Sequence, residues 1–190
     1  MSASSSLPSG CVVAVVGPSG VGKDTLMDAA RLALQNEPRF GFVTRVITRP
    51  REAGGEAHVP MTEAEFAEAR ANGAFALHWH AHGLDYGIPA DVLDEVAAGR
   101  VMLVNLSRRE IPVAEGVFER LAVIEITAPP AILAQRLATR GRESAAAIEA
   151  RLAREAPLVV TRARHLRLAN DRPLAEVAEA FIALIRAEAD

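Results

Sequence analysis

Residues 12–25, Val-Val-Ala-Val-Val-Gly-Pro-Ser-Gly-Val-Gly-Lys-Asp-Thr, decide the fold. Val12 to Val16 is an unbroken apolar, mostly β-branched run, the pattern of a strand covered on both faces within a parallel sheet. Three glycines follow within six residues and then a lysine. Strand, glycine-rich turn and helix start in that order form a cradle in which main-chain N–H groups wrap a phosphate chain and the helix N-terminus faces it. Gly17, Pro18, Ser19, Gly20, Val21, Gly22, Lys23, Asp24 and Thr25 are therefore the candidate phosphate-binding residues. The glycines let the backbone approach the anion, and Lys23 brings a mobile charge to the β- and γ-phosphates of a bound ATP. Asp24 stands where a serine or threonine is usual in such loops. Its carboxylate is a hard oxygen ligand suited to Mg²⁺, and its charge also repels phosphate.

Working outward, Leu26, Ala29, Ala30 and Ala33 recur at helical spacing, and Pro38 requires that helix to have ended. Phe40 to Ile47 reads as a second strand, followed by a polar loop from Arg49 to Glu56. Thr62 to Glu65 has the pattern of a capped helix start, with Gly73 beyond the helix end at about Ala71. Phe75 to His82 reads as extended and Ala90 to Ala98 as helical, with Gly99 stopping that helix before a strand from Val101 to Leu106. Leu121 to Thr127 is a further strand. Pro129-Pro130 opens a helix through Arg140, and a second helical stretch runs from Ile148 to Ala163 beyond Gly141-Arg142. A strand from Leu166 to Asn170 and an amphipathic helix from Pro173 to Ala189, with Val177, Phe181, Leu184 and Ile185 on one face, close the chain.

Repeated strand-then-helix order predicts an α/β fold with a central parallel sheet flanked by helices. Residues 1–9 are serine-rich without apolar period and read as a disordered tail, leaving 10–190 as one domain. The chain has 190 residues, is 50% hydrophobic, and carries a net charge of −3. That balance, without a basic block, argues against nucleic acid as the main partner, and the apolar runs are far shorter than a membrane span. A single cysteine, Cys11, with no leader pattern ahead of it, makes the cytoplasm the expected location.

Two arginine groups suggest a second anion. Thr48 and Arg49 follow the second strand, where a loop can aim a guanidinium at the carboxyl ends of the sheet, though a solvated turn reads the same way. Arg136, Arg140, Arg142 and Arg151 surround the Gly141 hinge. They are candidates to meet the transferring phosphoryl group as a lid over about 136–155 closes, the alternative being an exposed basic face paired with Glu143 and Glu149. Between the groups lie His78, His80 and His82 at alternate positions. On a strand they share a side, as a polar pocket wall, as surface polar residues on an edge strand, or as a zinc site, and a zinc site needs a fourth ligand that the segment does not supply.

Taken together, Gly17 to Asp24, Arg45 to Pro50, Gly54 to His58, Phe75 to Gly83 with Tyr86-Gly87, Val104 to Arg108 and Arg140 to Glu143 make the chain resemble the guanylate-kinase-like branch of the P-loop kinases. Within that branch it is most similar to the ribose 1,5-bisphosphate phosphokinases of phosphonate catabolism. The resemblance implies a P-loop NTPase core over about 10–45 and 100–190, with a small acceptor-binding insertion over about 46–90 and the lid. It implies ATP and Mg²⁺ as cofactors, a phosphorylated sugar as substrate and 5-phosphoribosyl 1-diphosphate (PRPP) as product. It further implies Glu56, His58, Tyr86, Asn105, Arg108 and Arg151, with Thr48, Arg49 and the three histidines, as acceptor contacts. Departures from guanylate kinases sharpen the point. Their guanine-reading glutamate is Leu77 here, and a tyrosine of their acceptor site is His58. A leucine cannot accept guanine N–H groups, each of which costs about 1–3 kcal/mol when left unpaired. A nucleotide kinase with altered base choice and a non-catalytic binding module of the same fold are the competing readings.

Overall fold

In the computed structural model, residues 10–50, 57–139 and 157–189 are described. The disordered-tail expectation for 1–9, the loop residues Arg51 and Glu56, and the arginines Arg140, Arg142 and Arg151 lie outside them.

Five strands form a wholly parallel sheet in the order β2-β7-β1-β8-β9, with β1 Cys11–Val16, β2 Phe40–Phe42, β7 Val101–Asn105, β8 Leu121–Thr127 and β9 Arg164–Ala169. All six residues of β1 are buried. Their alternation divides them between two cores, which is why the run is continuously apolar. Val13 and Val15 join the core closed by α1 (Lys23–Leu34) and the last helix, α6 (Leu174–Ala187), through Leu26, Ala30, Val177, Phe181 and Ile185. Val12, Ala14 and Val16 join the other core, closed by α3 (Val92–Ala97), α4 (Ile111–Val117) and a second sheet.

That second sheet has the order β4-β3-β6-β5, with β3 Val46–Ile47, β4 Val59–Pro60, β5 Phe75–Ala81 and β6 Leu84–Pro89. β3 and β4 run parallel, while β6 is antiparallel to both β3 and β5. Helix α2 (Glu63–Ala71) packs beside it by stacking Phe66 on Phe75, with ring centroids 4.6 Å apart. The start of α2 is a full capping box: Thr62 accepts from the Glu65 N–H, and the Glu65 carboxylate accepts from the Thr62 N–H.

Five expectations change. The single strand over 40–47 is two strands in different sheets, because residues 43–45 cross from one to the other. Strands β4 and β6 and helix α4 appear where no element was expected. Lastly, residues 157–163 are irregular and not the end of a helix. Leu158, Val160 and Ala163 still pack on the second core. What holds them is Glu115 of α4, which is 5% exposed and accepts from the backbone N–H groups of Thr161 (2.8 Å), Arg162 (2.8 Å) and Ala163 (2.9 Å) and from the Thr161 hydroxyl. Burial pushes this carboxyl up, and the four hydrogen bonds outweigh it, bringing its pKa down to about 2.

Candidate active site

The loop of residues 17–22 joins the carboxyl end of β1 to α1 between the neighbouring strands β7 and β8. Such a position, at the carboxyl ends of parallel strands, is where α/β sheets hold ligands. Gly22 has φ 95°, and a Cβ there would lie 2.6 Å from Asn170 Nδ2, so only glycine fits. The Lys23 ammonium donates to the carbonyl oxygens of Gly17 (2.8 Å) and Pro18 (3.3 Å), which holds its charge across the mouth of the loop.

Three side chains brace this loop from outside. Asn170, 5% exposed at the end of β9, donates to the Val21 carbonyl at 2.6 Å. Arg136, on helix α5 (Pro130–Thr139), donates to the same carbonyl at 3.3 Å. Leu137 of that helix lies directly under Gly20. The sequence marks Asn170 only as the last residue of an expected strand; its bracing role depends on β9 ending beside the loop, a long-range fact that no local pattern encodes.

Asp24 is exposed in the first turn of α1, where a carboxylate also suits the positive end of the helix dipole. Asn105, 9% exposed at the end of β7, donates to Asp24 Oδ1 at 3.2 Å. An exposed carboxylate oriented by an amide fits Mg²⁺, which keeps several waters and takes one or two carboxylates along with substrate phosphates. No group of three or more His, Cys, Asp or Glu side chains arranged to hold a metal ion occurs among the described residues. Through its bond to Asp24, Asn105 is tied to the first turn of α1 beside the loop. Arg108 is half-buried in a short 3₁₀ turn, Arg108–Glu110, just beyond β7.

On the second sheet the register assigns the faces. Ile47 pairs with Tyr86 and Tyr86 with Trp79, so these three share one side, with Leu77 and Ile88. That side is the inner one: Leu77, Trp79 and Ile88 belong to the core that contains Val16 and Leu106, next to the phosphate loop. His78 and His80 do share a face, as expected, but it is the opposite, exposed one, where His80 Nδ1 lies 2.9 Å from Asp85 Oδ1. His82 leaves the strand altogether in the β5–β6 turn, with φ 54°. The three histidines therefore do not make one pocket wall. The half-buried Tyr86 is on the inner side.

Thr48 and Arg49 sit where β3 bends away. The Thr48 hydroxyl accepts from the Asp85 N–H at 2.8 Å and ties this bend to β6. His58 is 8% exposed, with Nε2 2.9 Å from the Arg49 carbonyl oxygen and Nδ1 3.3 Å from Arg49 Nη2. One tautomer satisfies both contacts: Nε2–H donates to the carbonyl and Nδ1 accepts from the guanidinium. His58 thereby fixes both backbone and head group of Arg49. A cleft of about 410 Å³ opens beside Arg49, bordered also by Thr62, Glu63 and Glu65. A separate cavity of about 290 Å³, bordered by Cys11, Arg120 and Glu188, lies at the opposite ends of the strands and takes no part in the phosphate site.

No family model matches the chain. A solved guanylate kinase from Anaplasma phagocytophilum superposes with a TM-score of 0.63, covering 95% of this chain and 87% of that one, at 18% identity. Among curated proteins, the ribose 1,5-bisphosphate phosphokinase PhnN of Methylobacterium radiotolerans is 46% identical over 178 residues, 94% of this chain and 98% of that protein. The protein of the same name from Brucella melitensis is 55% identical over 148 residues, 78% of this chain and 77% of its own. With a guanylate-kinase-like fold, a braced glycine-rich loop and relatives 46% and 55% identical over 98% and 77% of their own length, the chain belongs to the ribose 1,5-bisphosphate phosphokinase family.

Proposed function

We propose that the protein transfers the γ-phosphoryl group of ATP to the 1-phosphate of ribose 1,5-bisphosphate, giving ADP and 5-phosphoribosyl 1-diphosphate, as an intracellular step of phosphonate catabolism. The observation that carries this reading beyond kinship is the inner face of the acceptor sheet. Leu77, 3% exposed, stands where guanylate kinases read guanine, and Ile88 beside it is fully buried, so no group there accepts a base N–H.

The nucleophile is an oxygen of the acceptor's 1-phosphate. That group is ionised near neutral pH, so the reaction requires no general base, and the protein's work is alignment and neutralisation between two anions. The new bond joins this oxygen to the γ-phosphorus as the bond to the β-phosphate oxygen breaks, and ADP leaves. Lys23 and the loop N–H groups hold the donor. Asp24, oriented by Asn105, is the residue that would hold Mg²⁺, which when bound draws charge from the β- and γ-phosphates. Arg136, already against the loop, together with Arg140 and Arg142, is assigned to the transferring group. Arg49, clamped by His58, is assigned to the accepting phosphate, with Thr48 holding the bend. Glu56, Arg108 and Arg151 remain assigned to the acceptor on resemblance alone.

Phosphorus NMR of a reaction with magnesium-ATP and ribose 1,5-bisphosphate tests the proposal. It is expected to show a diphosphate on the sugar appearing in step with ADP; ADP formed without that diphosphate would refute it.

A further inference from the structure

Glu125 is a largely buried carboxylate that the mechanism above leaves unused. It lies near the carboxyl end of β8, 13% exposed, with Oε2 3.1 Å from His165 Nε2 and 3.0 Å from Arg167 Nε. We propose that Glu125 is a specificity residue that reads the sugar of the acceptor: its other oxygen, Oε1, accepts from a ribose hydroxyl lying between the two phosphates. This inference rests on the function proposed above.

Three observations carry it. The first is position. Along β8, Leu121 and Val123 lie in the core that the second sheet closes, and Glu125 is the next residue on that side. The alternation thus turns from apolar to charged at the end of the strand where α/β sheets hold ligands. Glu125 is also the register partner of Val16, one strand spacing or about 4.8 Å away. Gly17, whose carbonyl accepts from the Lys23 ammonium at 2.8 Å, comes next in the chain. The carboxylate therefore stands beside the start of the phosphate loop, on the side of the second sheet.

The second is preparation. His165 and Arg167 belong to β9, in register with Val123 and Glu125. Both meet Oε2, and among the described residues no hydrogen bond reaches Oε1. A carboxylate accepts at both oxygens, so two donors on one of them fix the group and leave the other to accept.

The third is sign. The phosphates of ATP and both ends of the acceptor are anions, which a carboxylate repels. What it can bind is a neutral hydroxyl, and the acceptor carries its hydroxyls on the ribose between the phosphates. Leu77 and Ile88, on the inner face of the second sheet, accept nothing, so a buried hydroxyl needs its acceptor from elsewhere.

The alternative is that Glu125 only ties β9 to β8. A cycle between residue and substrate separates the two. In Glu125→Gln the amide oxygen must face the His165 and Arg167 donors, so an NH2 group takes the place of Oε1 and the acceptor is lost. Wild-type and Glu125→Gln protein, as full chains, are assayed with ribose 1,5-bisphosphate and its 2-deoxy and 3-deoxy analogues, and with ATP or 2′-deoxy-ATP. On ribose 1,5-bisphosphate the variant is expected to lose about tenfold to a hundredfold in kcat/KM, the range for a hydrogen bond to a charged group, with the KM for ATP and the melting temperature held. With one of the deoxy sugars the gap between the two proteins should shrink to less than about threefold. A gap equal on all three sugars would show a strand tie and overturn the inference while leaving the function standing. A gap that closes only with 2′-deoxy-ATP would put the carboxylate on the donor's ribose and overturn it too. Wild-type protein inactive on ribose 1,5-bisphosphate would instead refute the function, and this inference with it. Should Glu125→Gln not fold, Glu125→Asp, which keeps the charge on a shorter stem, runs the same cycle with the same outcomes.

Discussion

Between Val16 and Leu26 the groups proposed to meet ATP come from one unbroken run of residues, whereas the inner face of the second sheet, proposed to meet the acceptor, gathers Ile47, Tyr86 and Trp79 from three separate strands. The loop is specified by local chemistry: glycines where the backbone must turn, a lysine at the helix start, and buried strands on either side. The acceptor face is specified by register. A slip of one residue between β5 and β6 would turn Trp79 outward and His78 inward. Donor recognition is thus robust and common to many kinases, and acceptor recognition is where a family of this fold can change its substrate.

The largest effect separating the two sides is expected from Lys23→Ala, which removes the charge at the mouth of the loop. Turnover should fall about a hundredfold or more with the melting temperature unchanged; steady-state kinetics beside a thermal melt checks both. Asn170→Ala, which removes a brace and not a ligand contact, should raise the KM for ATP by about fivefold, the scale of one buried hydrogen bond, with little change in the KM for the sugar. On the acceptor side, Trp79 is the only tryptophan in the chain, so its emission reports the inner face directly. Titration with ribose 1,5-bisphosphate should change that emission saturably, and GMP should not. His80→Ala, on the outer face, should alter the KM for the sugar by less than about twofold, and a tenfold rise would mean that the faces have been assigned the wrong way round.

Glu115 belongs to neither side and ties residues 161–163 to α4. Glu115→Ala leaves three partly buried N–H donors without their acceptor and should destabilise the protein by on the order of 2 kcal/mol. Because the folded pKa is lowered from 4.5 to about 2, the stabilisation is fully present above about pH 4.5 and is lost as pH falls towards 2. Denaturant melts of wild type and Glu115→Gln should therefore differ most near neutrality and converge in acid.

The contrast also explains which features the sequence discloses. The phosphate loop, its strand and its helix are contiguous and appear where expected, as do β7, β8 and α6. Strand β6 carries Gly87 and Pro89, and α4 carries Pro112 and Gly116, so propensity hides elements that tertiary packing enforces. The run from Phe40 to Ile47 looks like one strand because both of its ends are apolar; only the sheet order reveals that the chain changes sheets at residues 43–45. The alternating histidines carry a strong pattern on the solvent face, while Arg45 and Trp79 form no local motif and become visible as partners only through their register. The segment 157–163 carries Pro157 and the β-branched Val159, Val160 and Thr161, poor helix formers that the helical expectation overran, and Glu115 takes the N–H groups of Thr161, Arg162 and Ala163.

The most direct test of the central claim, that this phosphate loop serves a sugar bisphosphate and not a nucleotide acceptor, is the ratio of kcat/KM for ribose 1,5-bisphosphate to that for GMP, measured by ADP release with saturating magnesium-ATP. The account predicts a ratio of about a hundred or more. A ratio near one, or one favouring GMP, would contradict it.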